Sequence, residues 1–387
     1  MKTFFSLLFT LAFIGNLSAT NDTGKIKFRI IGFEVNAGYF SNHLNAYTVI
    51  PIASRGHVSS ETISKSTKWL SSNNRTGAIS YLKSDFTINK QKLSLGYYNF
   101  TGVCYSSDLF RILMQGNAQF AGETASFGEP NPLRMRQTGF IKLGYFLKHK
   151  NIKQKWQLDF APEIYLITKS GNARTFGTNS LFTSESGLDM TATLNYRYKP
   201  TGGFGIRGVG VGVSGLLYRR IKAKAITVRI DNLGVGLITA KSRELYHDTI
   251  WNYSGLNAAE PLNFSNLNIE DSINTLIAKE RVNKGGIIAI PVSIDIALNA
   301  EKYKLGVQYI GITGFLPQIY YSRKYYHKKS IIGIGVQAGG WGLINSKIEL
   351  SRELKSETLQ KLNLQIIGIE SLMFNYPSLS LKMGFQW

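Results

Sequence analysis

Stretches of about ten residues in which every second side chain is apolar recur along this chain, and nothing else in it limits the possible folds so sharply. The final stretch, PSLSLKMGFQW (residues 377–387), is the cleanest case. Leu379, Leu381, Met383, Phe385 and Trp387 fall on one face, and Ser378, Ser380, Lys382, Gly384 and Gln386 on the other. A period of two describes a β-strand with one apolar and one polar side. Left as a free edge, such a strand would template aggregation, so it has to close onto another strand.

Between Ile288 and Leu298 the even positions are Ile, Ile, Val, Ile, Ile and Leu, with Ala289, Pro291, Ser293, Asp295 and Ala297 between them. Tyr303, Leu305, Val307 and Tyr309 then alternate with Lys304, Gly306 and Gln308, and Asn299 to Lys302 make the turn of a hairpin. In residues 26–40 the apolar phase shifts at Ile31, the mark of a β-bulge. Further hairpins are expected over 86–104, turning at Asn89-Lys90, and over 138–168, turning in KHKNIKQK. Residues 187–198 and 204–219, joined by Pro200, Gly202 and Gly203, continue the series, as do 222–240, 317–327, 329–341, 343–353 and 360–370. The total is about 14 strands, within a range of about 12 to 16, and many have the length a tilted strand needs to cross a bilayer. Tyrosines at segment ends, namely Tyr196, Tyr198, Tyr320, Tyr321, Tyr325 and Tyr326, suit an interfacial aromatic girdle. Two stretches break the pattern. SDLFRILMQ (107–115), with Asp108 early and Gly116 as a stop, predicts a short helix. Residues 247–283 predict a long polar loop with a helix around Ile269 to Lys279.

Composition agrees with one all-β body. The chain has 20 Tyr, 22 Phe and 38 Gly but only 9 Pro, and no compositional break divides it. Lys2, the apolar run FFSLLFTLAFI (Phe4 to Ile14) and Leu17-Ser18-Ala19 have the layout of a secretory signal, which assigns 1–19 to a cleaved signal peptide and 20–387 to a single barrel domain. Beyond it no apolar run reaches the roughly 18 residues of a transmembrane helix. Cys104 is the one cysteine, so it reads as a small strand residue without a disulfide. The formal net charge is +21. In an exported protein such basicity points away from nucleic acid and toward anionic lipid headgroups, acidic polysaccharide or anionic solutes.

An export signal, alternating strands of bilayer length, aromatic ends and a terminal aromatic residue together indicate an all-β fold, a transmembrane antiparallel β-barrel of the outer membrane. Apolar strand faces then point to lipid, and polar, glycine-rich faces to the lumen. A soluble periplasmic sandwich or lectin is the structural alternative, but it requires neither uniform strand length nor a terminal tryptophan.

The stretches DLFRILMQGNAQFAGETASFG (108–128), TGGFGIRGVGVGVSGLLY (201–218) and ITVRIDNLGVGLI (226–238) resemble uncharacterised Bacteroidota outer-membrane barrels, whose layout is similar to FadL-type and PorV-like barrels of about 14 strands. The FadL-type likeness implies transport past an N-terminal hatch, for which residues 20–25 are short. The helix around Leu109 to Met114 is the alternative internal plug. The PorV-like likeness implies docking of a surface or secretion-system protein. The Phe385-x-Trp387 ending resembles the C-terminal signal read by the barrel assembly machinery during biogenesis, with Lys382 where that signal often has glycine.

Gly203-Phe-Gly-Ile-Arg-Gly208 satisfies G-x-G-x-x-G, but that fingerprint binds dinucleotides only where a helix follows. Here Val209-Gly-Val-Gly-Val213 continues as an alternating strand, so the glycines are read as sites of strand bending or of close packing in the lumen. His43, His57, His149, His247 and His327 form no close pair, so no metal or other cofactor is expected. A hydrolytic triad would need a histidine such as His247, beside Asp248, to meet a serine through folding. No sequence feature singles one out, and the chain is read as a non-enzyme. The basic clusters are more tangible: Lys148, Lys150, Lys153 and Lys155; Arg219 and Arg220 with Lys222 and Lys224; Arg323 and Lys324 with Lys328 and Lys329. Each sits at a predicted turn or strand end, where it keeps the turn out of hydrocarbon or contacts lipid phosphates or an acidic partner. Facing the lumen instead, such residues would make an anion-preferring pore. The functional expectation is a passive channel or carrier for small or amphipathic solutes; the alternative is a non-catalytic structural barrel that docks a partner.

Overall fold

The final strand lies against the first, and that seam closes the sheet. In the computed structural model, which describes residues 28–44, 48, 58–68, 70–88, 91–116, 120–128, 130–148, 156–185, 189–199, 205–254, 279–354, 360–370 and 378–386, β1 (Phe28–Ser41) pairs antiparallel with β18 (Leu379–Gln386). The register runs from Gly32 opposite Gln386 to Tyr39 opposite Leu379, and the Phe33 and Phe385 rings stand 6.4 Å apart across it. The signal segment 1–19 and Trp387 lie outside the described residues.

Among the described residues eighteen strands form one sheet, which closes with fourteen wall positions. From the seam the wall runs through β2 (Asn74–Ile88), β3 (Gln91–Tyr105), β5 (Arg134–Lys148) and β6 (Trp156–Thr175). Then β8 (Asp189–Lys199) and β9 (Gly208–Ile221) share one position end to end, both flanked by β6 and by β10 (Lys224–Ser254). The next position is likewise shared, by β11 (Lys279–Ala289) and β12 (Ser293–Asn299). The wall continues through β13 (Tyr303–Ile310), β14 (Leu316–His327), β15 (Ser330–Gly340), β16 (Ile344–Glu353) and β17 (Lys361–Ile367) back to β18. Two short strands, β4 (Thr124–Ser126) and β7 (Ser180–Thr183), pair with each other, and β7 with β8, beside the ring.

Alternation decides which way each side chain points. Val211 is 63 % exposed and Ile319 58 %, while Lys347, Ser322 and Ser380 are buried. Apolar residues outside and polar residues inside describe a barrel solvated by lipid, where closure also pairs every strand edge. The strand ends define two rims. At the lower rim, where β1 begins and β18 ends, two residues join β2 to β3, β9 to β10 and β14 to β15. Connections at the opposite, upper rim are mostly longer. There lie α1 (Ser60–Thr67), capped by Ser59 accepting from the Thr62 N–H, and α2 (Ser107–Gln115), capped by Ser106 accepting from the Leu109 N–H. α2 has the bounds its sequence predicts and stops at Gly116, whose φ of +82° favours glycine. The sequence SETISKST of α1 carries no apolar stripe and gave no helical signal.

Several expectations change. The alternation from Ile288 to Leu298 is not one strand: it breaks at 290–292, where Pro291 has no N–H to give a ladder. The break shifts the phase, so Ile290 turns into the core while Ile296 faces outward. The bulge at Ile31 is present, with Ile30 opposite Phe86 and Gly32 opposite Asp85. Residues 247–283 are not loop throughout, because β10 extends to Ser254 against β8 and β11 begins at Lys279. Paired neighbours satisfy that backbone above the lipid band, so no apolar alternation is needed. Residues 255–278, with most of the helix expected there, lie outside the described residues. Tyr320 belongs to the lumen rather than to the girdle, whereas Tyr321, Tyr325 and Tyr326 are exposed.

At the upper rim His43 is fully buried between Tyr105 and Phe110 of α2, with ring centroids at 5.5 and 4.9 Å, and its Nε2 lies 2.6 Å from the Tyr105 hydroxyl. Burial pushes its imidazole down from 6.5 to about 4. Protonation is therefore favoured once this contact opens. The docking of α2 holds its full stability above pH ~6.5 and loses about 3 kcal/mol of it as pH falls toward 4. Hydrogen exchange across Ser107–Gln115 at pH 7 and pH 4 checks this; equal protection at both values rejects it.

Candidate functional site in the barrel lumen

The lumen has two storeys. Its upper half is filled by a single buried cluster that includes Phe40, Ile79, Phe100, Phe140, Tyr165, Ile238, Ile310 and Trp341, contributed from all round the wall. Trp341, fully buried, sits edge to face with Phe315 at 5.0 Å and stacks on Phe40 at 6.5 Å. Its Nε1 donates to the Thr313 carbonyl at 2.8 Å, which holds the inward-folded segment 311–315. The indole lies so close to Gly77 that any Cβ there would overlap it. The same device recurs on the facing wall, where Gly212 and Gly234 leave room for the Tyr165 ring. The glycine-rich run after Gly208 is thus strand β9, packing against lumen aromatics. Gly203 of the G-x-G-x-x-G match lies outside the described residues.

Below the apolar layer is a cavity of about 490 Å³ that reaches toward the lower rim, down to Lys92 and Lys304 one residue inside their strands. Seven acidic and seven basic side chains line it, so the charge of the cavity lining is balanced. Most are matched locally. Lys142 meets Glu163 at 2.8 Å and donates to the Asn232 side-chain oxygen at 2.9 Å, while the Tyr165 hydroxyl donates to Glu163 at 2.5 Å. Asn232 is in position to accept because β10 bulges there: the ladder slips between Ile230 and Leu233 and Asn232 takes φ +61°, which asparagine tolerates better than most residues. On the other side Lys382 pairs with Glu34 at 2.9 Å, and the Tyr81 hydroxyl donates to the same carboxylate. Lys347 meets Glu349 at 3.1 Å and lies 4.1 Å above the Tyr320 ring, whose hydroxyl donates to Asp295 at 2.8 Å. Such a cavity presents aromatic faces, paired charges and hydroxyls, chemistry suited to an aromatic or amphipathic solute without net charge.

The residues singled out in the sequence lie elsewhere. Arg219, Arg220, Arg323 and Lys324 gather at the lower rim, as does the backbone of Lys148 at the end of β5, and none of them lines the cavity. The Lys324 ammonium turns in to the Ala300 carbonyl at 2.8 Å rather than out to solvent. Lys150, Lys153 and Lys155, like His57 and His149, lie outside the described residues. An anion-preferring lumen is not what the lining shows. Helix α2, the alternative plug, packs on Leu44 and Tyr105 at the upper rim, and among the described residues the lumen is filled by wall side chains, the inward-folded segment 311–315 and Trp341. Among the described residues no group of three His, Cys, Asp or Glu side chains could hold a metal. Lys142, Glu163, Lys347 and Glu349 were not anticipated; their signal was a charge at a polar position of an alternating strand.

No family model matches the sequence, and no curated protein matches it. Among solved structures the chain is similar to the TodX monoaromatic hydrocarbon channel deltaS2 mutant, with 9% identity over 96% of this chain and 90% of that chain and a TM-score of 0.35. It is similar also to the P. putida toluene transporter TodX, with 9% identity over 96% and 92% of the two chains and a TM-score of 0.34. A third likeness, to the outer membrane protein opdK from Pseudomonas aeruginosa, has 8% identity over 92% and 98% and a TM-score of 0.22. At these scores the likenesses assign the chain to no family.

Proposed function

We propose that this protein is an outer-membrane carrier for a small aromatic or amphipathic solute without net charge, and not a standing diffusion pore. The observation that carries the reading is the charge-balanced cavity ending on a packed apolar layer. A solute that fits the cavity has still to displace side chains at that layer, whereas hydrated ions meet a dry barrier. Short connections at the lower rim and longer ones at the upper rim are the pattern of barrels whose short turns face the periplasm, which orients the cavity toward that side. No catalytic role is assigned.

Proteoliposome uptake tests the reading. Zwitterionic aromatic amino acids should enter faster than gluconate or lysine, while potassium chloride gives no steady current across a planar bilayer holding the same protein. Steady ionic current through the unmodified barrel overturns it.

A second reading, a barrel that docks a surface or secretion-system protein in the PorV-like manner of Bacteroidota, is favoured by one observation. β10 and its neighbours extend beyond the closed wall on one side, and exposed Ile250, Phe182 and Leu113 lie on that extension or on α2. Purification of a stoichiometric partner together with absence of uptake for every solute class would select it.

A further inference from the structure

We propose that the lower rim carries a row of phosphate contacts, along β9 to β16, that selects anionic phospholipid from the leaflet beside the barrel. Folding brings basic clusters that are far apart in sequence to one end of the wall. Arg220, Lys222, Lys224, Arg323, Lys328 and Lys329 are all exposed there, and the exposed acidic residues described at that rim are Glu301, Glu353 and, lining the cavity, Asp159. Cations recur at the turns after β9, β12 and β14 and at the end of β16, hence along half of the wall, from β9 to β16, and not at a single turn. The upper rim differs: its cations are interspersed with acidic residues, and Lys65 pairs with Glu61 at 2.7 Å.

Aromatic and aliphatic side chains are interleaved with the lower cations. Arg219 lies over the Trp156 ring at 4.9 Å and Arg323 over Tyr325 at 5.6 Å, with Tyr326 and Ile221 exposed beside them. Rings at the glycerol level with cations just beyond them match a bilayer interface, where apolar surface ends and phosphates begin. A folded acidic protein would gain nothing from Ile221 and Tyr326 at the edge of the lipid band. Exposed cations interleaved with interfacial side chains over four successive turns favour the leaflet.

The test uses the full chain in vesicles of phosphatidylcholine and phosphatidylglycerol in equal amounts, with spin-labelled forms of each lipid reporting which is held at the protein boundary. The wild-type barrel should prefer phosphatidylglycerol by about fivefold, the factor equivalent to about 1 kcal/mol per near-surface charge. The preference should decline as salt is raised. The variant R220Q/K222Q/K224Q/R323Q/K328Q/K329Q, its folding verified by heat-modifiable gel migration, should lose most of it. The upper-rim variant K65Q/K68Q/R111Q should keep it. No preference in the wild type, an unchanged preference in the lower-rim variant, or an equal loss in the upper-rim variant overturns the proposal. So does binding of an acidic protein without any lipid preference. None of these outcomes depends on what the lumen carries.

Discussion

Replacing Trp341 and Phe315 together by alanine converts a silent barrel into a conducting one. Trp341 touches the layer from several directions: it stacks on Phe40, meets Phe315 edge to face and holds segment 311–315 through the Thr313 carbonyl. The wall beneath it is bare at Gly77, so no side chain there can move in to refill the space. Large-to-small changes of this kind cost about 3–5 kcal/mol each when the site cannot collapse. The fourteen-position wall is held by its own strand ladder and closing seam, so the loss falls on the plug more than on the barrel. Planar-bilayer recordings should show steady current steps in W341A/F315A and none in the wild type. Seven acidic against seven basic lining residues predict a reversal potential near zero in a salt gradient. A correctly folded double variant that stays silent would show that other members of the layer seal the lumen unaided. Strong anion preference would mean that the paired charges do not act as pairs.

The wall was legible in the sequence because its rule is local. Each strand carries its own alternation, so Leu379 to Phe385, Tyr303 to Tyr309 and the bulge at Ile31 could be read without knowing their neighbours. α2 was legible for the same reason, through Asp108 and Gly116, while its cap at Ser106 became visible with the structure. The lumen was not. A lysine on the polar face of a strand looks alike whether it meets water or a carboxylate across the barrel. Lys142 and Glu163 come together only because β5 and β6 pair antiparallel, and Asn232 joins them only through a bulge in β10. The same alternation placed Tyr320 at a segment end, while its inward position depends on the register with β13 and β15. Pro291 was visible, but a regular pattern on both sides concealed the change of phase. That the basic clusters share one rim is likewise a fact of topology, since each turn taken singly says only that it is basic.

Replacing Lys142 by methionine should destabilise the folded barrel more than replacing Lys142 and Glu163 together. The pair is nearly sealed from solvent, with Lys142 3 % exposed and Glu163 5 %, at the level where Tyr98 and Tyr165 close over the cavity. Bringing both charges there costs desolvation that their 2.8 Å contact, the Tyr165 hydroxyl and the Asn232 oxygen offset. K142M leaves the carboxylate with the Tyr165 hydroxyl alone, an uncompensated buried charge worth about 3–5 kcal/mol. K142M/E163Q removes that charge while the Tyr165 hydrogen bond can persist to the amide oxygen, so most of the loss should be recovered. Urea titrations of folding into lipid vesicles, followed by heat-modifiable migration, give the two midpoints and complete a double-mutant cycle with E163Q. Coupling near zero would mean that the two groups are solvated independently in the lumen, and the picture of a dry barrier at this depth would fail with it. Coupling of several kcal/mol alongside a conducting W341A/F315A variant would divide the roles: the ion pair fixes the wall at the depth of the barrier, and the aromatic layer above it forms the gate.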